Sequence, residues 1–346
     1  MTNNSQTIYA LSSGALPAAI AVVRISGAYA FEAARLLGAE SLISRKLVLT
    51  KIQPTGQEII DMALVCAFPK KQSITGEDMV ELHMHGSIAV IDELFLFFSS
   101  VKELRPAEPG EFTKRSLING KMDITEVEGL ADLLASETKQ QRIQSIKLLK
   151  GELSEKYSHW RQKLIKARAE MEASLDFSDE GDVSQNTDDS RFVKKISGLI
   201  SEIEKDLVRG IAGERLRKGL KIALIGAPNV GKSSLINLLL KEDRAIVSTS
   251  AGTTRDTIEA RLNLEGVPVT LYDTAGIRET SDKIEKEGVL RSKSIAEEAD
   301  IIIYIRDASA GVKEKKIEMP DNKFSRIINV YNKTDLIEEK SHLNKE

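Results

Sequence analysis

Residues 221–240 read KIALIGAPNVGKSSLINLLL, and this stretch decides the fold. KIALI is a short apolar run with strand character, SSLINLLL has helical spacing, and between them GAPNVGKS (226–233) matches the pattern G-x-x-x-x-G-K-[ST]. Gly226 and Gly231 let the backbone turn so that its N–H groups face phosphate oxygens. Lys232 is placed to neutralise β- and γ-phosphates, and the Ser233 hydroxyl to bind Mg²⁺. A strand before the pattern and a helix after it are the context this chemistry requires.

Downstream, VPVTLYD (267–273), preceded by the Glu265-Gly266 turn, IIIYIRD (301–307) and IINVYNK (327–333) read as further strands with helical patterns between them. Such alternation predicts a mainly parallel sheet covered by helices on both faces. DTAG (273–276) closes one strand, with Asp273 placed to reach Mg²⁺ through water and the Gly276 N–H to meet the γ-phosphate. GTTRD (252–256) places Thr254 to complete the Mg²⁺ shell, as a switch segment does. NKTD (332–335) ends the last strand: Asp335 can accept from the paired N–H donors of guanine, which adenine lacks, Asn332 can bond the opposite base edge, and the Lys333 stem can cover the base face. In this order the motifs make GTP the expected nucleotide. The residue after DTAG is Ile277, which cannot orient an attacking water as glutamine does, leaving Arg278, Glu279 and Glu285 as nearby polar candidates.

Upstream, residues 1 to about 120 alternate strand-like and helix-like runs and predict a small α/β domain: AIAVVRISG, IIDMALVCAF and MVELHMH as strands, FEAARLLG and IAVIDELFLFFSSVKEL as helices. From Asp123 to Asp176 the pattern is helical almost throughout, 176–190 reads as an acidic connector, and a further helix is expected over roughly 191–212. The 346 residues carry 49 Lys and Arg against 52 Asp and Glu, a net charge of −3, so no global basic field marks a nucleic-acid binder; an RNA substrate would need a local patch or a partner to hold it. The single cysteine, Cys66, excludes an internal disulfide framework and fits a reducing cytoplasm; its apolar context makes it a small buried hydrophobe. His83 and His85 have the spacing of a strand presenting both to one face rather than of a metal site. No apolar run is long enough to span a bilayer, and the N-terminus lacks the features of a signal peptide.

Together with RISG (24–27), ITGEDMVELHMHG (74–86) and PGEFTKRSLINGKMDITEVEGLADLL (109–134), the motifs GAPNVGKSSLIN, AGTTRD and DTAGIRETSDKIEKEG give a chain that resembles the MnmE (TrmE) tRNA modification GTPases throughout its length. The resemblance implies an α/β multidomain fold. An N-terminal α+β folate-binding and dimerisation domain (1–121) would be followed by a helical domain (122–215). A Ras-like P-loop GTPase domain with a mainly parallel sheet (216–346) would be inserted into the helical one. It implies GTP contacts from Asn229, Val230, Gly231, Lys232, Ser233 and Ser234, from Ser248, Thr249, Ser250, Ala251, Gly252, Thr253 and Thr254, from Asp273, Thr274, Ala275 and Gly276, and from Asn332, Lys333, Thr334 and Asp335. Glu285 would orient the attacking water, with Lys232 and Thr254 completing the catalytic set. Mg²⁺ would sit on Ser233 and Thr254, and K⁺ on Asn229, Ser248, Ser250 and Thr253 in place of an arginine finger. Arg24, Glu81 and Lys121 would bind 5-formyltetrahydrofolate or a related tetrahydrofolate. Partners implied are a second copy in a homodimer, the flavoprotein MnmG in a heterotetramer, and tRNA, whose wobble uridine would gain an aminomethyl-type group at C5.

The sequence ends eleven residues after Asp335, where a Ras-like domain would continue through another strand and helix, and no terminal Cys-x-Gly-Lys segment follows. The expectation drawn from this is a C-terminally truncated form with weak guanine-nucleotide binding and no tRNA modification on its own. Two other readings compete: a ribosome-assembly GTPase switch of the Era or Der kind, and a folate-binding scaffold whose GTPase half is inert.

Overall fold

The computed structural model describes residues 6–176, 185–227, 229–240, 258–273, 297–309 and 326–337. The chain divides into two compact units, Met1–Val127 and Glu128–Glu346.

In the first unit, six strands form one sheet: β1 (Thr7–Leu11), β2 (Ala18–Ser26), β3 (Val48–Ile52), β4 (Asp61–Phe68), β5 (Met79–Gly86) and β6 (Leu104–Pro106), in the order β3-β4-β5-β2-β1-β6. All neighbours are antiparallel except β1 and β6. Period-two alternation sorts the faces. Val23 and Ile25 of β2 and Val80, Leu82 and Met84 of β5 join a core with Ala33 and Leu37 of α1 (Ala30–Leu36) and its end, and with Leu94 and Phe98 of α2 (Ile88–Ser100). Arg24, Glu81, His83 and His85 therefore occupy the opposite face. His83 and His85 share that face as expected; His85 binds Asp61 at 2.7 Å, and no cluster of three metal-ligating side chains exists among the described residues. Cys66 is buried on β4, where burial, with the Glu81 carboxylate nearby, pushes its thiol up and disfavours the thiolate.

A polar knot holds α3 (Glu111–Ile118) against the end of this sheet. Arg115, 2% exposed, donates to Glu77, Glu111 and the carbonyl of Gln6 at 2.8–2.9 Å. Glu111 also accepts two bonds from Arg105 at 2.6 and 2.8 Å, and the amide of Glu108. Those partners, Arg105 first, hold the Glu111 carboxyl down at about 2.

Helices α4 (Ile124–Ala135), α5 (Lys139–Leu149) and α6 (Glu152–Asp176) realise the long helical pattern, interrupted at Gly151, whose φ is +80°. The connector expected over 176–190 is shorter than its composition suggested. The next helix, α7, runs over Gln185–Lys218 instead of roughly 191–212, and residues 177–184 lie outside the described set. Gly213 lies within the helix against Gln144, which donates to its carbonyl. Trp160, Lys163 and Lys156 of α6 bind Glu202 and Asp206 of α7.

The second sheet holds β7 (Leu220–Ile225), β8 (Ile258–Leu264), β9 (Val267–Asp273), β10 (Ile301–Asp307) and β11 (Arg326–Asn332) in the order β11-β10-β7-β9-β8. The first four in that order run parallel, and β8 returns antiparallel to β9. The β8–β9 turn has positive φ at both Glu265 (52°) and Gly266 (92°), the geometry that tight hairpins prefer. This turn seats on the start of α5, whose amide at Gln140 points to the Gly266 carbonyl and whose Thr138–Gln141 capping box closes the helix end. Leu224, Leu262, Leu271 and Ile236 form the core between this sheet and α8 (Lys232–Leu239).

Candidate functional site

The four parallel strands of the second sheet end at Ile225, Asp273, Asp307 and Asn332, so the motifs that follow them emerge at one carboxyl edge. That edge is where open α/β sheets bind ligands. The phosphate loop sits between β7 and α8. Gly231, with φ +102°, caps α8, so the first helical N–H groups face the loop rather than a side chain. A Cβ at Gly231 would collide with the Asn332 amide, and one at Gly226 with the Ile305 carbonyl. Gly226 is therefore required by close approach of backbone, and Gly231 by its left-handed conformation, while a Cβ there would also push the Asn332 side chain aside.

Lys232 is 5% exposed and its Nζ donates to the carbonyls of Gly226 (2.5 Å) and Ala227 (2.8 Å). Its charge is folded back against the backbone of its own loop. Ser233 and Ser234 begin α8 and are exposed, whereas Val230 is buried. Asn229 is exposed with φ +61°, a left-handed conformation asparagine tolerates.

The structure also ties the base-reading motif to the phosphate loop. Asn332 Nδ2 donates to the Val230 carbonyl at 2.7 Å. That uses one of its two amide hydrogens and leaves the other, with Oδ1, for a ligand. Lys333 follows with φ +60°, and its Nζ meets Asp307 Oδ2 at 2.6 Å. Asp307 is opposite Asn332 in the β10–β11 register, and its Oδ1 accepts the Ser309 hydroxyl at 2.6 Å and amide at 2.9 Å. Lys333 first, then Ser309, holds the Asp307 carboxyl down at about 2. Asp307 and Ser309 went unnoticed in the sequence; the available signal was a carboxylate closing the strand parallel to IINVYN. Thr334 and Asp335 start a 3-10 turn over Thr334–Leu336. Of the other site residues expected from the sequence, Ser248, Thr249, Ser250, Ala251, Gly252, Thr253, Thr254, Thr274, Ala275, Gly276 and Glu285 lie outside the described residues, as does the side chain of Asp273.

In the first unit, β2–β5 pairing places Arg24 opposite Glu81, and Arg24 donates Nε (3.0 Å) and Nη2 (2.7 Å) to Glu81 Oε1. Glu81 Oε2 lies 3.5 Å from His83 Nε2, and the Arg24 guanidinium stands 5.5 Å from the centre of the Phe112 ring. Lys121 does not join this pair: its Nζ donates to the Lys71 carbonyl at 2.9 Å.

Residues 7–121 match the family described as GTP-binding protein TrmE N-terminus, and residues 221–334 match the family described as 50S ribosome-binding GTPase. The chain is 47% identical over 320 residues to the tRNA modification GTPase MnmE of Bradyrhizobium sp., covering 92% of this chain and 72% of that one. The corresponding protein of Agrobacterium fabrum is 47% identical over 91% of this chain and 71% of its own. That of Rhodopseudomonas palustris is 44% identical over 97% and 75%. A separate Era or Der identity is set aside by the match over 7–121, which the nucleotide-binding half alone would not produce. The two matched segments in one chain, with identities sustained across almost its whole length, place it in the MnmE family of tRNA modification GTPases.

Proposed function

We propose that this chain hydrolyses GTP at the carboxyl edge of its parallel sheet to drive modification of the wobble uridine of tRNA at C5. In this reading it works as a homodimer with the flavoprotein MnmG in a heterotetramer, in the cytoplasm. The observation that carries the reading is the joining of phosphate loop and base-reading motif through the Asn332–Val230 bond, which makes one continuous nucleotide cradle. Lys232 shifts from the Gly226 and Ala227 carbonyls to the β- and γ-phosphates, while Asn332 and Asp335 hold guanine and the Lys333 stem covers its face. Glu285 orients a water for attack on the γ-phosphorus; the bond to the β–γ bridging oxygen breaks, giving GDP and inorganic phosphate.

The exposed Ser233 hydroxyl on the first turn of α8 fits a hard cation, and with Thr254 and the water-mediated contact of Asp273 would hold Mg²⁺. Asn229, exposed at the loop tip, with Thr253 and the backbone carbonyls of Ser248 and Ser250, offers the neutral oxygen donors that suit K⁺. Both ions would supply positive charge against the phosphates.

In the first unit, the Arg24–Glu81 pair beside the Phe112 ring fits a flat heterocycle that carries both N–H donors and carboxylates, as 5-formyltetrahydrofolate does. Glu81 would accept from the pterin N–H groups, and Arg24 would meet carbonyl or carboxylate oxygens. Lys121 would have to leave the Lys71 carbonyl to take part. Titration with 5-formyltetrahydrofolate tests this half: saturable binding that Glu81→Gln weakens is expected, and its absence from the wild-type chain would reject the folate reading.

A further inference from the structure

The net charge of −3 conceals a local imbalance. From Lys139 to Arg168 there are nine Lys and Arg residues against Glu152 and Glu155, a local charge of +7, so the remaining residues sum to −10. On α6 several of these cations are engaged: Lys156 with Asp206, Lys163 with Glu202, and Arg168 with Glu172.

Helix α5 is different. It contains no acidic residue, and its exposed positions with its C-cap are Lys139, Gln140, Arg142, Lys147 and Lys150. At 3.6 residues per turn the four cations fall within an arc of about 140°, one side of the helix, over a length of roughly 16 Å. The carboxylates that precede the helix are occupied, Glu137 facing Arg261 at 3.6 Å and Asp132 facing Arg217 at 3.8 Å. Among the described residues none of the four forms an ion pair. Like charges at spacing i, i+3, as in Lys139/Arg142 and Lys147/Lys150, weaken an isolated helix. Lys147 and Lys150, at the C-terminal end, suit the helix dipole, but Lys139 and Arg142 in the first turns oppose it, so helix stability does not account for the whole stripe.

We propose that this face of α5 docks the phosphate backbone of the tRNA substrate. The proposal rests on the tRNA reading above. Four cations along a rigid line meet a row of phosphates without reading bases, as proteins commonly grip helical RNA through its shape and backbone. It also meets the requirement set by composition: a chain of net negative charge must carry its RNA contact on a local patch or on a partner.

The test titrates an unmodified tRNA transcript into the full chain over a salt series. The wild type is compared with the quadruple variant Lys139→Gln, Arg142→Gln, Lys147→Gln, Lys150→Gln. A control with the same charge change replaces exposed lysines of the first unit, Lys46, Lys51, Lys70 and Lys102, by glutamine. Binding at least about tenfold weaker is expected for the α5 variant, with the log K against log salt slope shallower by about 3 to 4. The control should stay within about twofold of wild type, and GDP affinity should be the same for all three. Equal binding by the α5 variant and wild type overturns the patch and leaves the tRNA reading standing. So does an α5 variant that keeps its RNA affinity but loses an acidic protein partner. A wild-type chain that binds no tRNA even at low salt overturns both.

Discussion

Replacing Asn332 by alanine separates the two halves of the nucleotide cradle. In the wild type the Asn332 amide donates to the Val230 carbonyl at 2.7 Å, and Val230 is 3% exposed, so water has little access to that carbonyl once the donor is gone. An acceptor stranded in this way costs about 1–3 kcal/mol, and the guanine contact of the same amide is lost as well. That carbonyl cost falls on the free and the bound protein alike and belongs to folding; the lost guanine hydrogen bond, worth about 0.5–1.5 kcal/mol, should weaken GDP binding by roughly 2- to 12-fold, since each 1.4 kcal/mol is about tenfold. The bond exists without nucleotide, so the melting midpoint of the second unit should also fall, by about 2–4 °C per kcal/mol. Fluorescence titration with a labelled GDP and thermal melts with and without GDP measure both effects. A variant with wild-type GDP affinity and an unchanged melt would refute the claim that Asn332 ties the motif to the loop.

Gly231→Ala should lower GDP affinity by more than about tenfold, because the added methyl strains a left-handed backbone at φ +102° and displaces Asn332 as well; near-normal binding would show that the loop relaxes freely. Asp307→Asn should weaken GDP binding about tenfold by releasing Lys333, and in a Lys333→Met background it should add nothing further. Additive losses in that double-mutant cycle would show that Asp307 acts elsewhere. Glu111, held at about 2 against an ordinary value of 4.5, lends the first unit stability that is present above about 4.5 and is lost as the pH falls toward 2, up to about 3 kcal/mol. Glu111→Gln should therefore melt lower than wild type at pH 7, with the difference shrinking below pH 4; a gap independent of pH would remove Arg105 and Arg115 as the cause.

Much of this was legible because periodicity and glycine placement are local properties. KIALIG, VPVTLYD, IIIYIRD and IINVYNK each became a strand of the parallel sheet, and the Glu265-Gly266 turn is where it was expected, but the antiparallel strand β8 that it joins to β9 was not foreseen. MVELHMH gave both the inward Leu82 and the outward Glu81 from alternation alone. What escaped depended on partners distant in sequence. The composition of 176–190 resembles a loop, yet α7 starts at Gln185. Nothing local in IIIYIRD says that Asp307 will hold Lys333, because that pairing exists only once β10 and β11 lie parallel. Likewise the engagement of Arg115 by Glu77 and Gln6 spans 38 and 109 residues and leaves no local pattern. Arg24 and Glu81 do meet, whereas Lys121 turns to Lys71, a distinction that one charge per motif could not make.

The most direct test of a K⁺-assisted GTP site is the rate of GTP hydrolysis by the wild-type chain in K⁺ buffer against Na⁺ buffer of equal ionic strength. Faster hydrolysis in K⁺, with the advantage lost in Asn229→Ala, is the predicted result; equal rates in the two buffers would contradict it.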